Sequence, residues 1–581
     1  MTEMRSDLRE PISRLLVLGF LFVVAFCLRL YSINQSTVEF NHLRHYHGAL
    51  LARGFYEWWL TGDLKTVPPD GVIEPPILEL AASFAYLIFG GEYLWIPQVL
   101  SALFWMVGGI FLYLIAKRIV FPNAAVFSVA FYLFIPYSVL ESRTFRPDLL
   151  MVMLLMISAF TILRYHEQPS TRRLLVAAVT ASLAILVKPG ICLFPVFGAF
   201  VSLAVYRDGV RRSLINPHFL LFAALSVLPT GLYYLYGTFL AGFLRGQASQ
   251  KVVPQLVLET SFWEGWLITV SDVLGYAALF GALFGILLLR KGLPRALMIG
   301  LWSGYFLFGL TFTSPIATHD YYSLQLIPIV ALSLGSLVDL VMNDLKQTVN
   351  NIGQLGWRGY GRVIVLTLSI SVLVLSAIEN SQTSAYSSSW MRAQQERAAS
   401  HVATFREIGE VVDHSRRTLV LFGGSQKGGR NYGFALMYYG RLSGETWPFP
   451  THIGERAITT EELFPRRSRK HSPEYFIISK GWWNREETKD LRAFLTERFA
   501  VAAQGDAYIV FDLRRKAESR KTSRPPRTQS PGARSTAWQA EAERHNVLRN
   551  LVERRQLAAR QFRYRPRRRV VRIENLPSSR L

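Results

Sequence analysis

The chain has 581 residues, half of them hydrophobic, with a formal net charge of +23 and a mean hydropathy of +0.22. A soluble chain of this length would divide into several domains with alternating polar faces. Residues 1–380 instead carry repeated apolar runs of about 17–25 residues, the length a helix needs to cross about 30 Å of hydrocarbon. The two cysteines, Cys27 and Cys192, lie inside apolar runs, which argues against a disulfide framework and a cysteine-ligated metal.

In chain order, Arg5, Arg9 and Arg14 precede an apolar run from Leu15 to Leu30. No small-residue cleavage site follows, so this reads as an uncleaved first span with residues 1–14 inside. Apolar stretches then predict spans at 15–31, 94–116, 122–140, 148–165, 174–187, 190–206, 218–240, 269–289, 296–312, 322–342 and 362–379, about eleven crossings in all. The break at Lys188-Pro189-Gly190 also suits a re-entrant helix. The basic loops Lys117/Arg118, Arg164 to Arg173, Arg207 to Arg212, Arg290 to Arg295 and Lys346 to Arg362 all fall on the side that the N-terminus assigns to the cytoplasm.

An odd number of crossings places the region 381–514 outside. There the pattern predicts a helix at 398–414, strands at Thr418 to Phe422, Glu474 to Ser479 and Tyr508 to Leu513, and a helix at 485–498: a small α/β domain. The Gly423-to-Gly429 run resembles a phosphate loop but lacks the Gly-Lys-Ser/Thr ending, so it reads as a turn. From Arg514 to the end, 20 Lys and Arg stand against 5 Glu, which supplies +15 of the +23. This tail (515–581) reads as disordered, with a short helix at 536–561, and its charge suits an anionic lipid or wall polymer rather than nucleic acid.

Sorted by face, the polar residues collect outside. The loop at 32–93 carries Glu39, Asn41, His42, Arg44, His45, His47, Asp70, Glu74 and Glu79. Glu141, Arg143, Arg146 and Asp148 follow between spans three and four, Lys188 between five and six, and His319 to Tyr322 before span ten. Solvated loop ends would explain any one of them. Carboxylates, cations and tyrosines gathered on one side beside apolar surface are also what displacement of a phosphate leaving group needs.

The order and spacing of these motifs resemble the polyprenyl-phosphate-sugar-dependent glycosyltransferases of the GT-C fold, nearest to protein O-mannosyltransferases and lipid A aminoarabinose transferases. The resemblance runs over about residues 15–345. It rests on Glu39, Glu74-Pro75-Pro76, the Gly-Gly-Glu-Tyr-Leu-Trp-Ile-Pro turn at 90–97, Arg143-Thr-Phe-Arg-Pro-Asp148, Val187-Lys188-Pro189 and His319-Asp-Tyr-Tyr322. The family usually has Asp where this chain has Glu39, and commonly a lysine beside the prolines where this chain has Glu74.

What the resemblance implies is transfer of a monosaccharide from a polyprenyl phosphate to a lipid, glycan or protein hydroxyl on the extracytoplasmic face, with inversion. Glu39 and Asp148 would be the catalytic carboxylates, with Glu39 taking the acceptor's proton. Arg143, Arg146, Lys188, His319, Tyr321 and Tyr322 would hold donor phosphate or sugar, and Glu74 would orient the acceptor or a cation. No cofactor is required, although a divalent cation is compatible. His42 and His45 share a helical face and are weak metal candidates. A bacterial plasma membrane is the expected location. Two other readings stand beside this one: a flippase for a lipid-linked glycan, suggested by the break at Lys188-Pro189, and a non-catalytic envelope scaffold.

Overall fold

The computed structural model describes residues 11–31, 33, 42–63, 74–244, 251–350, 357–381, 388–423, 431–448 and 459–516. All of these residues belong to the first of the two units into which the chain divides, residues 1–517. Glu39, most of the glycine-rich run after Gly423, and the tail with its expected helix lie outside the described residues.

The helices of the first unit are α1 (Ile12–Leu30), α2 (His42–Thr61), α3 (Ile77–Phe89), α4 (Trp95–Ile119), α5 (Pro122–Phe134), α6 (Pro136–Glu141), α7 (Pro147–Glu167), α8 (Thr171–Val187) and α9 (Pro189–Asp208). They continue with α10 (Pro217–Leu235), α11 (Thr260–Leu274), α12 (Tyr276–Leu288), α13 (Leu293–Thr311), α14 (Leu326–Asn350) and α15 (Trp357–Ser381). Among the described residues, seven helices are long and apolar enough to cross a membrane, or eight when the bent pair α11 and α12 counts as one. The chain is a multi-pass membrane protein. Leu228, Leu232 and Leu235 on α10 stay more than half exposed, as lipid-facing side chains do.

Two expected spans turn out to be broken. The run at 269–289 belongs to two helices bent by 93°. They meet at Gly275, whose φ of 78° is open to glycine but strained for other residues. The run at 122–140 stops at Phe134, because Pro136 has no N–H to continue the helix and starts α6 instead. Arg29, fully buried on α1, holds this corner: its guanidinium donates to Ser142 Oγ (2.6 Å), Leu133 O (2.9 Å), Ala25 O (3.0 Å) and Ser138 Oγ (3.3 Å). Elsewhere α9 and α13 pack backbone to backbone, since a Cβ on Gly300 would collide with the carbonyl of Gly198.

Beyond the spans, α16 (Ser388–Val411), α17 (Gly433–Tyr439), α18 (Thr460–His471) and α19 (Lys489–Arg498) surround a five-stranded sheet of order β2-β1-β3-β5-β4. Its strands are β1 (Thr418–Leu421), β2 (Gly444–Thr446), β3 (Tyr475–Ser479), β4 (Phe499–Gln504) and β5 (Tyr508–Lys516). β2, β1 and β3 run parallel, and β5 is antiparallel to both β3 and β4. The sequence pattern missed β2, only three residues long, and β4, which alternates poorly. One sheet face, with Val420, Ile477 and Val510, shares a core with α16, α17, α2 and α3. The other, with Phe476, Ile509 and Phe511, packs on α18 and α19.

Candidate functional site

The site is assembled at helix ends, where backbone groups and charges are cheaper to place than in mid-bilayer. Pro147 at the first turn of α7 fixes the start of that helix. Arg146 therefore sits immediately before it and Asp148 within its first turn, where a carboxylate complements the helix dipole. Pro189 does the same for α9, which leaves Lys188 as the hinge between α8 and α9. Glu74 precedes Pro75 and Pro76 at the start of α3, and Arg44 lies on α2.

Packing joins these residues into an alternating chain of charge. Arg44 Nη1 lies 3.6 Å from Glu74 Oε2, and Glu74 Oε1 lies 3.1 Å from Lys188 Nζ. Lys188 Nζ is 3.5 Å from Asp148 Oδ1, while Asp148 Oδ2 is 3.3 Å from Arg146 Nη2. Arg146 Nη1 then donates to both oxygens of Glu141, at 2.8 and 3.0 Å. Glu141 also accepts from the Tyr137 hydroxyl (3.1 Å) and from Thr144 Oγ1 (3.3 Å). The Arg146 guanidinium covers the Tyr321 ring at 4.1 Å, a cation–π contact in a dry setting.

Three cations and three carboxylates balance, which is how so many charges tolerate burial. Burial favours the neutral acid at Glu74, but Lys188 and Arg44 outweigh it and hold the carboxyl down at about 2. Burial likewise disfavours the Lys188 ammonium, and Asp148 and Glu74 outweigh that, so its pKa is raised. The chain is not saturated with hydrogen bonds. Both oxygens of Asp148, together with Nε and Nη2 of Arg146, are buried without a hydrogen-bond partner among the described residues. Such groups are rare in folded proteins and provide capacity for a ligand.

Of the residues that the sequence singled out, the structure joins Glu74, Arg146, Asp148, Lys188 and Tyr321. Tyr322 stacks on Tyr321 (4.7 Å) and Phe308 (6.1 Å), and His319 packs its ring edge against Tyr321 (5.4 Å) from an exposed position. Arg143 is separate from the chain: its guanidinium donates to the Tyr31 carbonyl at 2.6 Å and ties α1 to the loop after α6. His42 opens α2. His45 is buried, and its Nδ1 accepts the Phe145 N–H at 2.8 Å, so that nitrogen serves the backbone before Arg146. Among the described residues no group of three His, Cys, Asp or Glu is placed to hold a metal.

Arg44 and Glu141 were visible in the sequence only as outer charges, without a role; Tyr137 was missed altogether. The one signal for Glu141 was its place five residues before Arg146, across a turn. Lys251 was missed as well: it acts electrostatically on Glu74, and the adjoining segment is pinned by paired hydrogen bonds between Val253 and Thr313 (2.8 and 3.2 Å).

Residues 73–234, which contain Glu74, Glu141, Arg146, Asp148 and Lys188, match the family model described as dolichyl-phosphate-mannose-protein mannosyltransferase. Among solved structures, ArnT from Cupriavidus metallidurans in the apo state superimposes with a TM-score of 0.52 at 16% identity, covering 85% of this chain and 97% of that one. This protein has the GT-C fold. ArnT bound to undecaprenyl phosphate gives a TM-score of 0.51 at 14% identity, with the same coverage. Among curated proteins no match is found. The likeness covers most of the chain, and the family match falls on the segment that builds most of the ion chain.

Proposed function

We propose that this GT-C protein is a membrane glycosyltransferase that moves a monosaccharide from a polyprenyl-phosphate donor to a hydroxyl of a lipid, glycan or protein, with inversion at the anomeric carbon. The observation that carries the reading is the buried ion chain. Lys188 sits between two carboxylates and, among the described residues, Arg146 has two nitrogens without a hydrogen bond, so cations are held ready in a dry site where charge develops on a leaving phosphate. Donor phosphate competes with Glu74 and Asp148 for Lys188 and Arg44, while Tyr321 and Tyr322 supply a surface beside Arg146. Glu39 is assigned the proton of the attacking hydroxyl on the strength of the sequence resemblance. The family match over 73–234 and the fold shared with a protein solved with undecaprenyl phosphate support the donor class.

We place the site and the α/β domain on the extracytoplasmic face of a bacterial plasma membrane, in keeping with the five basic loops on the opposite side. The experiment is mass spectrometry of envelope glycans and glycoproteins from cells with the wild-type chain, with Glu39→Gln and with none. One sugar unit is expected to vanish in both altered strains. Identical spectra with and without the chain sink the transfer reading, and retention of the unit in Glu39→Gln removes Glu39 as the base.

A further inference from the structure

On the sheet face that carries Ile509 and Phe511, the short helix Lys480–Trp483, helix α19 and the β4–β5 hairpin enclose an open cavity of about 400 Å³. That volume lies in the range of about 300–1,000 Å³ usual for small-molecule sites. The half-buried Trp483 indole forms one wall, backed by the Phe511 ring at 5.4 Å. Its backbone is fixed as well, because the Trp483 carbonyl accepts from Arg492 at 2.8 Å. Val501, 53% exposed, lies beside it. Among the described residues of this domain, Val411 and Val501 are the large apolar side chains left exposed, and no lipid is needed to explain exposure here.

The rest of the lining is polar in a particular way. Asn484, Gln504 and Thr496 bring two planar amides and a hydroxyl, all exposed, and among the described residues Lys480 is the sole charged group lining the cavity. An aromatic face with a neighbouring aliphatic group accepts the C–H face of a pyranose ring. Amides can both donate and accept, as vicinal sugar hydroxyls require, and the Thr496 hydroxyl, which donates to the Arg492 carbonyl at 2.6 Å, can still accept. Among the described lining residues there is no carboxylate to draw a cationic ligand, and the single Lys480 ammonium is a donor that serves a sugar hydroxyl. We infer that this cavity binds one or two sugar rings of a neutral saccharide.

The cavity opens on the sheet face opposite the one that packs with α2 and α3, so it is not the place where sugar is transferred. It is a holding subsite for a longer glycan. That this glycan is the acceptor rests on the proposed transfer reaction; the binding itself does not.

The test uses the full chain in lipid nanodiscs and saturation-transfer NMR with methyl α-D-mannoside, mannobiose, cellobiose and chitobiose. At least one disaccharide is expected to bind with a Kd on the order of 1 mM. Trp483→Ala is expected to weaken it about tenfold or more, and Trp483→Phe to retain much of it. The exposed pair Asn484→Ala with Gln504→Ala gives a second reading should Trp483→Ala fail to fold. Arg44→Gln, in the ion chain, leaves this binding unchanged. Failure of all four probes to bind overturns the inference. So does binding that survives both the tryptophan and the amide variants, or binding lost in Arg44→Gln alone. A chain that binds sugar at Trp483 yet transfers none keeps this inference and sinks the transfer reading.

Discussion

Two arginines, Arg29 and Arg146, lie on either side of the same turn and are both fully buried, yet their surroundings differ in kind. Among the described residues, Arg29 donates to carbonyl and hydroxyl oxygens from α1, α5 and the end of α6. Arg146 faces two carboxylates and an aromatic ring, with two of its nitrogens lacking a hydrogen bond among the described residues. Neutral acceptors fix a cation in one geometry and leave little reason to exchange partners. Carboxylates leave a competing anion something to displace. The first corner is a staple that shapes the loop; the second holds charge in reserve.

Lys188 offers the hardest test of that difference. Lys188→Gln leaves Glu74 and Asp148 facing one another without their shared cation, and transfer is expected to fall by about 10²–10³-fold or more. Lys188→Ala should in addition cost about 3–5 kcal/mol of stability, read from thermal melts in detergent. Arg146→Lys separates the two roles of that residue. One ammonium cannot span Glu141 and Asp148 as the planar guanidinium does, so activity should drop steeply while the protein still folds. Wild-type rates in either variant would make the ion chain structural only.

Arg29→Gln should do the reverse, lowering stability by about 1–3 kcal/mol through unsatisfied oxygens while turnover per folded molecule stays near wild type. A loss of turnover larger than the loss of fold would make Arg29 part of the site. At the junction with the α/β domain, Tyr46 and Tyr439 share a hydrogen bond at 3.0 Å, and Arg53 bridges Glu92 (2.9 Å) and the Tyr438 carbonyl (2.8 Å). Tyr439→Phe is expected to destabilise by about 0.5–1.5 kcal/mol, the net worth of one such bond.

The smallest effect concerns His47 on α2, outside the spans. Burial disfavours its imidazolium and Arg44 adds to this, against the pull of Glu74, bringing its pKa from 6.5 down to about 4. Between those values the unfolded chain binds more protons than the folded one, so stability falls as pH falls from 6.5 toward 4. His47→Gln should flatten that part of the melting-temperature profile; an unchanged slope assigns it to other groups.

Much of this was legible before any coordinates. Hydrocarbon thickness sets the length of an apolar run, so the helices from Trp95 to Asp208, apart from the one that ends before Pro136, were located within a few residues. Proline after a charged residue marked helix starts at Arg146 and Lys188. Three strands of the small domain, β1, β3 and β5, were found by their apolar composition. Gly275 and Pro136 show the limit of that reading. An apolar run continues through a bend of 93° as readily as through a straight helix, because hydropathy carries no backbone angle. The site shows a second limit. Glu74 and Lys188 are far apart in the chain, and their pairing follows from how α3, α7, α8 and α9 pack.

By itself the sequence determined that the chain lives in a membrane, which residues stand at the helix ends, and that one face gathers the charges. Those follow from transfer free energies, which are properties of each residue and its near neighbours. Only the tertiary structure decided that Arg146 belongs with Glu141 and Asp148 while Arg143 belongs with Tyr31, and that Lys188 bridges two carboxylates. Electrostatic partnership depends on distances of about 3–4 Å, and these are fixed by packing between helices rather than by position along the chain.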